Sequence, residues 1–373
     1  MNELAYMYSM DCDHLYVHIP FCHYVCSYCD FAKYVCNEKM QTLYIDRLIQ
    51  DLSLIKNKVS TIFVGGGTPS CLSIKNTIRL LSVLSRKLKP NGEFSIETNS
   101  EDLSLAKCNI FSLYKVNRVS IGVQSTSTSL LNKMGRKHSL EDVVKGITNL
   151  KKCGIVNINL DFIYGMKDEN DSILINNLLF SLHQDVKHLS FYSLQIEKGT
   201  KLYFQKGAVK TDDELSDEYE YIVKFLTEKG IEHYEVSNFA KAGYICKHNL
   251  TYWKDDTYYG VGLSSSGYNS IYRYKITPRL KDYLNRTNLI VEKEEVGLND
   301  REFEYLMLNL RLVDGFLLSD FKKKFKKDFL SCYAKEISNL TDFLDIDYSR
   351  VRVKHNKIYV LDEILLELLK YSC

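Results

Sequence analysis

Three cysteines near the N-terminus, Cys22-x3-Cys26-x2-Cys29, directly follow the apolar run Leu15-Tyr-Val-His-Ile19 and Pro20-Phe21. Three thiolates on one loop can hold three irons of a [4Fe–4S] cluster and leave the fourth iron open, whereas ordinary electron-transfer clusters are held by four cysteines. An iron with no protein ligand points to chemistry at that iron. The competing reading is a zinc site with His18, His23 or Cys36 as fourth ligand, although zinc ribbons more often use paired Cys-x-x-Cys knuckles.

Further candidates fall at the ends of other β-rich runs. Gly65-Gly66-Gly67-Thr68-Pro69 follows Thr61–Val64, Glu97 closes Glu93–Thr98, Gln124 follows Arg118–Val123, and Asp161 lies late in Val156–Ile163. Taken singly each has a plain explanation: a glycine turn, an ordinary strand-end carboxylate, or for Arg136 in Met134-Gly-Arg-Lys-His138 a solvated loop. Taken together they place polar or glycine-rich elements at the C-terminal ends of five strands, where parallel α/β barrels build their active sites. A bare glycine backbone there lets an amino or carboxylate group approach and hydrogen-bond.

The elements that position these residues alternate. A sixth strand is expected at His188–Leu194. Helical periodicity marks Lys39–Lys56, Ile74–Leu88, Asp102–Leu113, Leu140–Cys153, Ser172–Gln184 and Asp213–Lys229. Six β/α units imply a parallel sheet with right-handed crossovers, closed or stopping short as a partial (β/α)6 TIM-like barrel. The expected organisation is a barrel over 1–230, an aromatic-rich connecting region over 231–295 that packs on it, and a helical, winged-helix-like domain over 296–373. In that last part a hairpin is expected from Val351-Arg-Val and Lys357-Ile-Tyr-Val360, then a helix Asp362–Tyr371. Gly260-Val-Gly-Leu-Ser-Ser265 lacks the third glycine and the βαβ context of a dinucleotide fingerprint, so it is taken as a loop. His248, in His248-Asn-Leu-Thr-Tyr-Trp253 beside the single tryptophan, is either a structural histidine or an axial heme ligand.

Composition sets outer limits. With 373 residues, 45% hydrophobic and 26% charged, the chain has ample material for a core. A net charge of +2 without clustered basicity gives no footprint for nucleic acid. The lysine-rich Phe321-Lys-Lys-Lys-Phe-Lys-Lys-Asp-Phe329 spaces its aromatics as a helix with a solvated face would. No apolar run reaches the roughly 18 residues of a membrane span, and the first residues lack the pattern of a signal or transit peptide. A cytoplasmic chain is expected, with its eleven cysteines reduced. Cys71, Cys108, Cys153, Cys246 and Cys332 are expected in the core.

Collinear motifs carry a resemblance over nearly the whole chain: Tyr16-x-His-Ile-Pro-Phe-Cys22-x3-Cys26-x-Tyr-Cys29-Asp-Phe31, Val64-Gly-Gly-Gly-Thr-Pro-Ser70, Ser120-Ile-Gly-Val-Gln-Ser125, Gly135-Arg-Lys-His138, Leu160-Asp-Phe-Ile-Tyr-Gly165, Tyr234-Glu-Val-Ser-Asn-Phe-Ala240 and the His248 motif. They resemble the radical S-adenosylmethionine (radical SAM) proteins related to oxygen-independent coproporphyrinogen III oxidase. The oxidase branch has a fourth cysteine where Phe31 stands, together with a longer N-terminal extension. The Asp-Phe ending and the His-Asn-x-x-Tyr-Trp motif are similar to the heme-chaperone (HemW) branch. The resemblance implies a [4Fe–4S] cluster on Cys22, Cys26 and Cys29, with S-adenosylmethionine on the open iron and its methionine end against Gly66, Gly67 and Thr68. Tyr16, Tyr28, Glu97, Gln124, Arg136 and Asp161 would complete that pocket. It also implies heme as cargo, an acceptor hemoprotein and a reductant for the cluster. Coproporphyrinogen III oxidation, or radical chemistry on another substrate, is the alternative, and whether the chain is an enzyme stays open.

Overall fold

Runs of β-branched and aromatic residues with polar partners at every second position form strands, and stretches with apolar residues three and four apart form the helices between them. In the computed structural model, which describes residues 3–35, 37–205 and 207–369, the order begins α1 (Glu3–Met7), β1 (His14–Ile19), α2 (Glu38–Leu52), β2 (Val59–Gly66), α3 (Ile74–Lys87) and β3 (Leu88–Thr98). It continues through α4 (Leu105–Leu113), β4 (Arg118–Gln124), α5 (Thr128–Lys133), α6 (Leu140–Lys152), β5 (Asn157–Tyr164), α7 (Asp171–His183), β6 (His188–Ser193) and α8 (Asp212–Glu228). The helix starts are set locally. Asn37, Ser73 and Asn170 each accept a backbone N–H at a first turn, and Ser139 with Asp142 forms a reciprocal capping box on α6. Such caps are worth about 1 kcal/mol each.

Two units emerge: Met1–Leu215 with Thr257–Glu295, and Ser216–Asp256 with Val296–Cys373. The stretch 231–295, expected as one connecting region, is thus divided at 256/257. Its first part forms the hairpin β7 (Glu232–Glu235) and β8 (Asn238–Ala240) and the helix α9 (Lys247–Trp253). Its second part begins with β9 (Tyr259–Val261). The loop expected over Gly260–Ser265 is therefore partly a strand, because Gly260 fits where a side chain cannot: a Cβ there would lie 1.8 Å from the Ser266 carbonyl oxygen. An antiparallel sheet follows, of β10 (Ser266–Tyr268), β11 (Tyr272–Ile276) and β12 (Ile290–Glu295).

Within the first unit the strand order is β6-β5-β4-β3-β2-β1-β9, every neighbour parallel. This is the expected six-unit partial barrel, extended past β1 by β9. One sheet face is apolar: Phe94 and Ile96, Val119 and Ile121, Ile158 and Leu160, Leu189 and Phe191 are all buried. The alternate positions are polar and equally buried: Ser95, Arg118, Ser120, Asn159, His188 and Ser190. Burying such groups is tolerable only when they are hydrogen-bonded. Asn159 Nδ2 donates to Ser120 Oγ at 2.7 Å and to Ser190 Oγ at 3.0 Å, and His188 Nδ1 lies 2.6 Å from Asn159 Oδ1.

The second unit is helical with a small sheet. Its elements include α11, preceded in chain order by α10 (Leu280–Asn285) of the first unit, and spanning Leu298–Asn309, then β13 (Phe316–Leu317) and α12 (Leu318–Phe325). Phe321 and Phe329 are buried among Tyr305, Phe316 and Tyr333; Lys322, Lys323 and Lys326 are exposed as expected, whereas Lys324 pairs with the buried Asp255 at 2.6 Å and Lys327 with Glu302 at 2.8 Å. The expected hairpin does not form. Arg350–Val353 pairs on one side with Leu344–Ile346 and on the other with Phe316–Leu317, so both its edges are taken. Residues His355–Val360 coil instead into a 3-10 turn ahead of the helix Leu361–Leu369; Tyr371 lies outside the described residues. Two cysteines expected in the core, Cys153 and Cys332, are half-exposed, while Cys71, Cys108 and Cys246 are buried.

Candidate functional site

A cavity of about 600 Å³ opens at the C-terminal ends of the parallel strands. Cys22, Cys26 and Cys29 line it, and so do Tyr28, Gly66, Gly67, Thr68, Glu97, Gln124, Arg136 and Asp161. The one barrel candidate that does not reach its wall is Tyr16. That ring stacks near Phe63, with centroids 6.3 Å apart, and its hydroxyl lies 3.0 Å from His18 Nδ1, behind Gly66.

The cysteine loop is closed at its base. The Cys22 N–H donates to Tyr34 O at 3.1 Å and the Tyr34 N–H to Pro20 O, pairing the two ends like a short strand clasp. The tip is pinned to the end of α5: the Ser27 N–H donates to Met134 O at 2.9 Å, and Ser27 Oγ to Lys133 O at 2.7 Å. Lys33 Nζ donates to the carbonyls of Cys29 and Phe31. The thiols are free of disulfides. Burial pushes the Cys22 thiol up to about 11, with Cys29 and Cys26 nearby adding to it and the Thr68 hydroxyl opposing. Two donors meet the sulfurs, Thr68 Oγ1 at 3.5 Å from Cys22 Sγ and Arg136 Nη1 at 3.9 Å from Cys26 Sγ.

Glycines 66 and 67 make the adjoining wall because nothing larger fits. Gly66 has φ +111°, and a Cβ there would lie 2.5 Å from the His18 ring; one on Gly67 would lie 2.8 Å from Phe21 O and 3.0 Å from Cys22 Sγ. Gln124 adopts φ +66° at a register shift between β4 and β5. Such bulges re-aim a side chain at the rim of a sheet. Arg136 is held by Nη2 donating to Gly122 O at 2.7 Å.

Two carboxylates share the floor. Glu97 Oε2 accepts the Gly66 N–H at 3.0 Å, and burial, with the Asp161 charge adding, pushes Glu97 up to about 8. Asp161 accepts from Ser120 Oγ at 2.6 Å and Asn159 Nδ2 at 2.7 Å, yet burial still raises its carboxyl above the ordinary range. The pair gives the cavity hydrogen-bond acceptors suited to hydroxyl or amino groups of a ligand.

The two histidines considered as zinc ligands have other partners. His18 Nε2 lies 3.3 Å from Ala32 O, and His23 Nε2 2.8 Å from Asp102 Oδ1. Cys36 lies outside the described residues. Among the described residues, no group of three His, Cys, Asp or Glu side chains closes around one metal-ion position. Sequence reasoning missed Lys33, Asn99, Ser120, the end of β6 at Tyr192 and Ser193, and Leu194, Gln195 and Glu197 just beyond it, all on the cavity wall. Ser120 had a signal, since it sits two residues before Gly122 on the same strand face.

His248 belongs to the second unit. It is fully buried, with Nε2 2.8 Å from the Tyr252 hydroxyl and the two rings edge-on at 5.2 Å. No described helix is long and apolar enough to cross a membrane.

The Radical SAM superfamily profile matches residues 16–179, and the HemN C-terminal domain profile matches residues 297–354. Among curated proteins, the heme chaperone HemW of Lactococcus lactis subsp. lactis is 36% identical over 334 residues, covering 87% of this chain and 88% of its own length. The heme chaperones HemW of Bacillus subtilis and Escherichia coli are 34% and 31% identical, covering 88% and 81% of this chain and 90% and 83% of their own. Among solved structures, E. coli coproporphyrinogen III oxidase (HemN), a radical SAM enzyme, matches 99% of this chain and 92% of its own with a TM-score of 0.84. At 19% identity that likeness bears on the fold alone.

Proposed function

The chain belongs to the radical SAM superfamily and, within it, to the heme chaperone HemW family, and from that membership we propose that it binds heme in the cytoplasm and delivers it to an acceptor hemoprotein, with a [4Fe–4S] cluster and S-adenosylmethionine as resident cofactors. The observation that carries the cofactor reading is the single cavity that gathers three free cysteines, a glycine cradle and the polar ends of further strands.

The donor set fits those groups. Cys22, Cys26 and Cys29 would hold the cluster, and the bare backbone of Gly67 leaves room beside Cys22 Sγ that a Cβ would fill. Thr68 and Arg136 donate toward sulfur, which favours the thiolate form that ligation requires. Gly66, Gly67 and Thr68 would receive the methionine end of S-adenosylmethionine. Tyr28, Glu97, Gln124, Arg136 and Asp161 would orient the rest, and Tyr16 would act through His18 rather than by contact. When bound, the cluster supplies an electron taken from an external reductant. The chain itself would position the cofactor, with Glu97, its carboxyl pushed up by burial to about 8, on the cavity wall.

Phe31 stands where the oxidase branch has a fourth cysteine, and it is 60% exposed on the cavity wall. That replacement favours heme handling over porphyrinogen oxidation. His248 as axial ligand requires α9 to open, since its ring is buried and bonded to Tyr252. The test is anaerobic reconstitution of the cluster followed by separate titrations with heme and with coproporphyrinogen III. Stoichiometric heme binding without porphyrinogen turnover is the expected result. Porphyrinogen decarboxylation by the reconstituted protein, or failure to bind heme, overturns the proposal.

A further inference from the structure

The return limb of the cysteine loop carries a single lysine, Lys33, and the fold fixes where its charge sits. Both chain neighbours are pinned by the barrel: His18 Nε2 lies 3.3 Å from Ala32 O, and the Tyr34 N–H donates to Pro20 O. Between them the half-buried Lys33 turns back over the loop it closes. Its Nζ donates to Cys29 O and, at 3.2 Å, to Phe31 O. A lysine ammonium has three N–H donors. Two go to these carbonyls, and no described residue accepts the third. Lys33 lines the same cavity as Cys22, Cys26 and Cys29.

Two carbonyls converging on Nζ hold the charge at the residue of the third thiol ligand. A neutral donor would tie the same carbonyls together, so what a cation adds is electrostatic. The potential of an iron–sulfur cluster depends on net charge, on hydrogen bonds to its sulfurs and on exposure. One-electron reduction makes the cluster and its thiolates more negative, and a fixed positive charge favours that form. Arg136 stands 3.9 Å from Cys26 Sγ; Lys33 brings a second cation to Cys29. Asp30 and Glu197 share the cavity wall, but both are exposed and neither carboxylate is bonded to the cysteine loop. Water screens those two charges, and their side chains are free to turn outward.

We propose that Lys33 tunes the cluster: its ammonium, fixed at Cys29, raises the reduction potential, so that an external one-electron donor reduces the cluster more readily. The proposal rests on the reading above that Cys22, Cys26 and Cys29 hold a [4Fe–4S] cluster.

The test reconstitutes the full-length protein anaerobically and titrates it with titanium(III) citrate in the presence of redox mediators. The electron paramagnetic resonance signal of the reduced cluster reports the potential, and iron per chain is measured for every variant. Lys33→Met and Lys33→Gln should both lower the potential by about 30–60 mV, a three- to tenfold shift in the reduction equilibrium. Glutamine can still donate to the carbonyls, so it separates charge from loop closure. Lys33→Arg should stay near the parent value. Lys145→Met, which removes an exposed lysine from α6, should leave the potential unchanged. An unchanged potential in both neutral variants overturns the proposal, as does a fall in Lys33→Met that Lys33→Gln does not share. Failure of the neutral variants to hold a cluster makes Lys33 a tie within the loop and overturns it too. A parent protein that takes up no cluster instead overturns the cofactor reading itself.

Discussion

The cysteine loop after β1 and the His248 motif on α9 are both dense in residues that ligate metals, but the two units treat them differently. The loop's sulfurs line a cavity, held there by a clasp at the base and by Ser27 at the tip, with donors turned toward them. On α9 the histidine is enclosed and its nitrogen spent on Tyr252. Residue type nominates a site, and burial decides whether the site can act.

Four changes would break or sharpen that contrast, beginning with the most severe. Cys26→Ser should abolish cluster incorporation, read as loss of bound iron and of the visible absorbance after reconstitution, while far-ultraviolet circular dichroism stays unchanged. Loss of fold instead would make the loop a structural element like the α9 motif. Glu97→Gln tests the floor of the cavity through pH. The folded carboxyl is raised from 4.5 to about 8, so the folded state holds a proton that the unfolded state has released. Apo-protein stability should therefore fall as pH rises from about 4.5 to 8, by roughly a few kcal/mol in total. Glu97→Gln should flatten that slope in melts across the window, and an unaltered slope would mean that Glu97 is ionised in the folded chain.

Gly66→Ala puts a side chain at φ +111° against the His18 ring, and a stability loss of about 1–3 kcal/mol is expected in denaturant unfolding. His248→Ala should cost about 1–2 kcal/mol through the lost bond to the Tyr252 hydroxyl and the space left behind. If it also erases the heme spectrum, α9 opens in solution and the contrast between the two units fails.

Much of this was legible before any coordinates. Six strands with five intervening helices follow from periodicity, and the convergence of Cys22, Gly66, Glu97, Gln124 and Asp161 follows from their placing at strand ends. Tyr16 stands outside the cavity wall, which its motif position could not reveal because a motif says nothing about the direction of a ring, and Phe63 offers it an apolar partner. The strand Tyr259–Val261 was hidden by its glycine, which only the close Ser266 carbonyl explains. Lys357-Ile-Tyr-Val360 has strand composition, but Arg350–Val353 already has a neighbour on each edge. One of those neighbours, Phe316–Leu317, comes from far earlier in the chain, and a local pattern cannot register it.

The clasp at the base of the cysteine loop has one more consequence. Small metal-binding modules that lack such a closure fold only around their metal, and chelation denatures them. Here Pro20, Cys22 and Tyr34 close the loop through the backbone, and Ser27 anchors its tip to residues far along the chain. The entropy of bringing the three sulfurs together is therefore met by folding of the barrel. Such a loop is a socket whose shape is set by the scaffold, so that losing a cluster would leave the three sulfurs gathered for the next one.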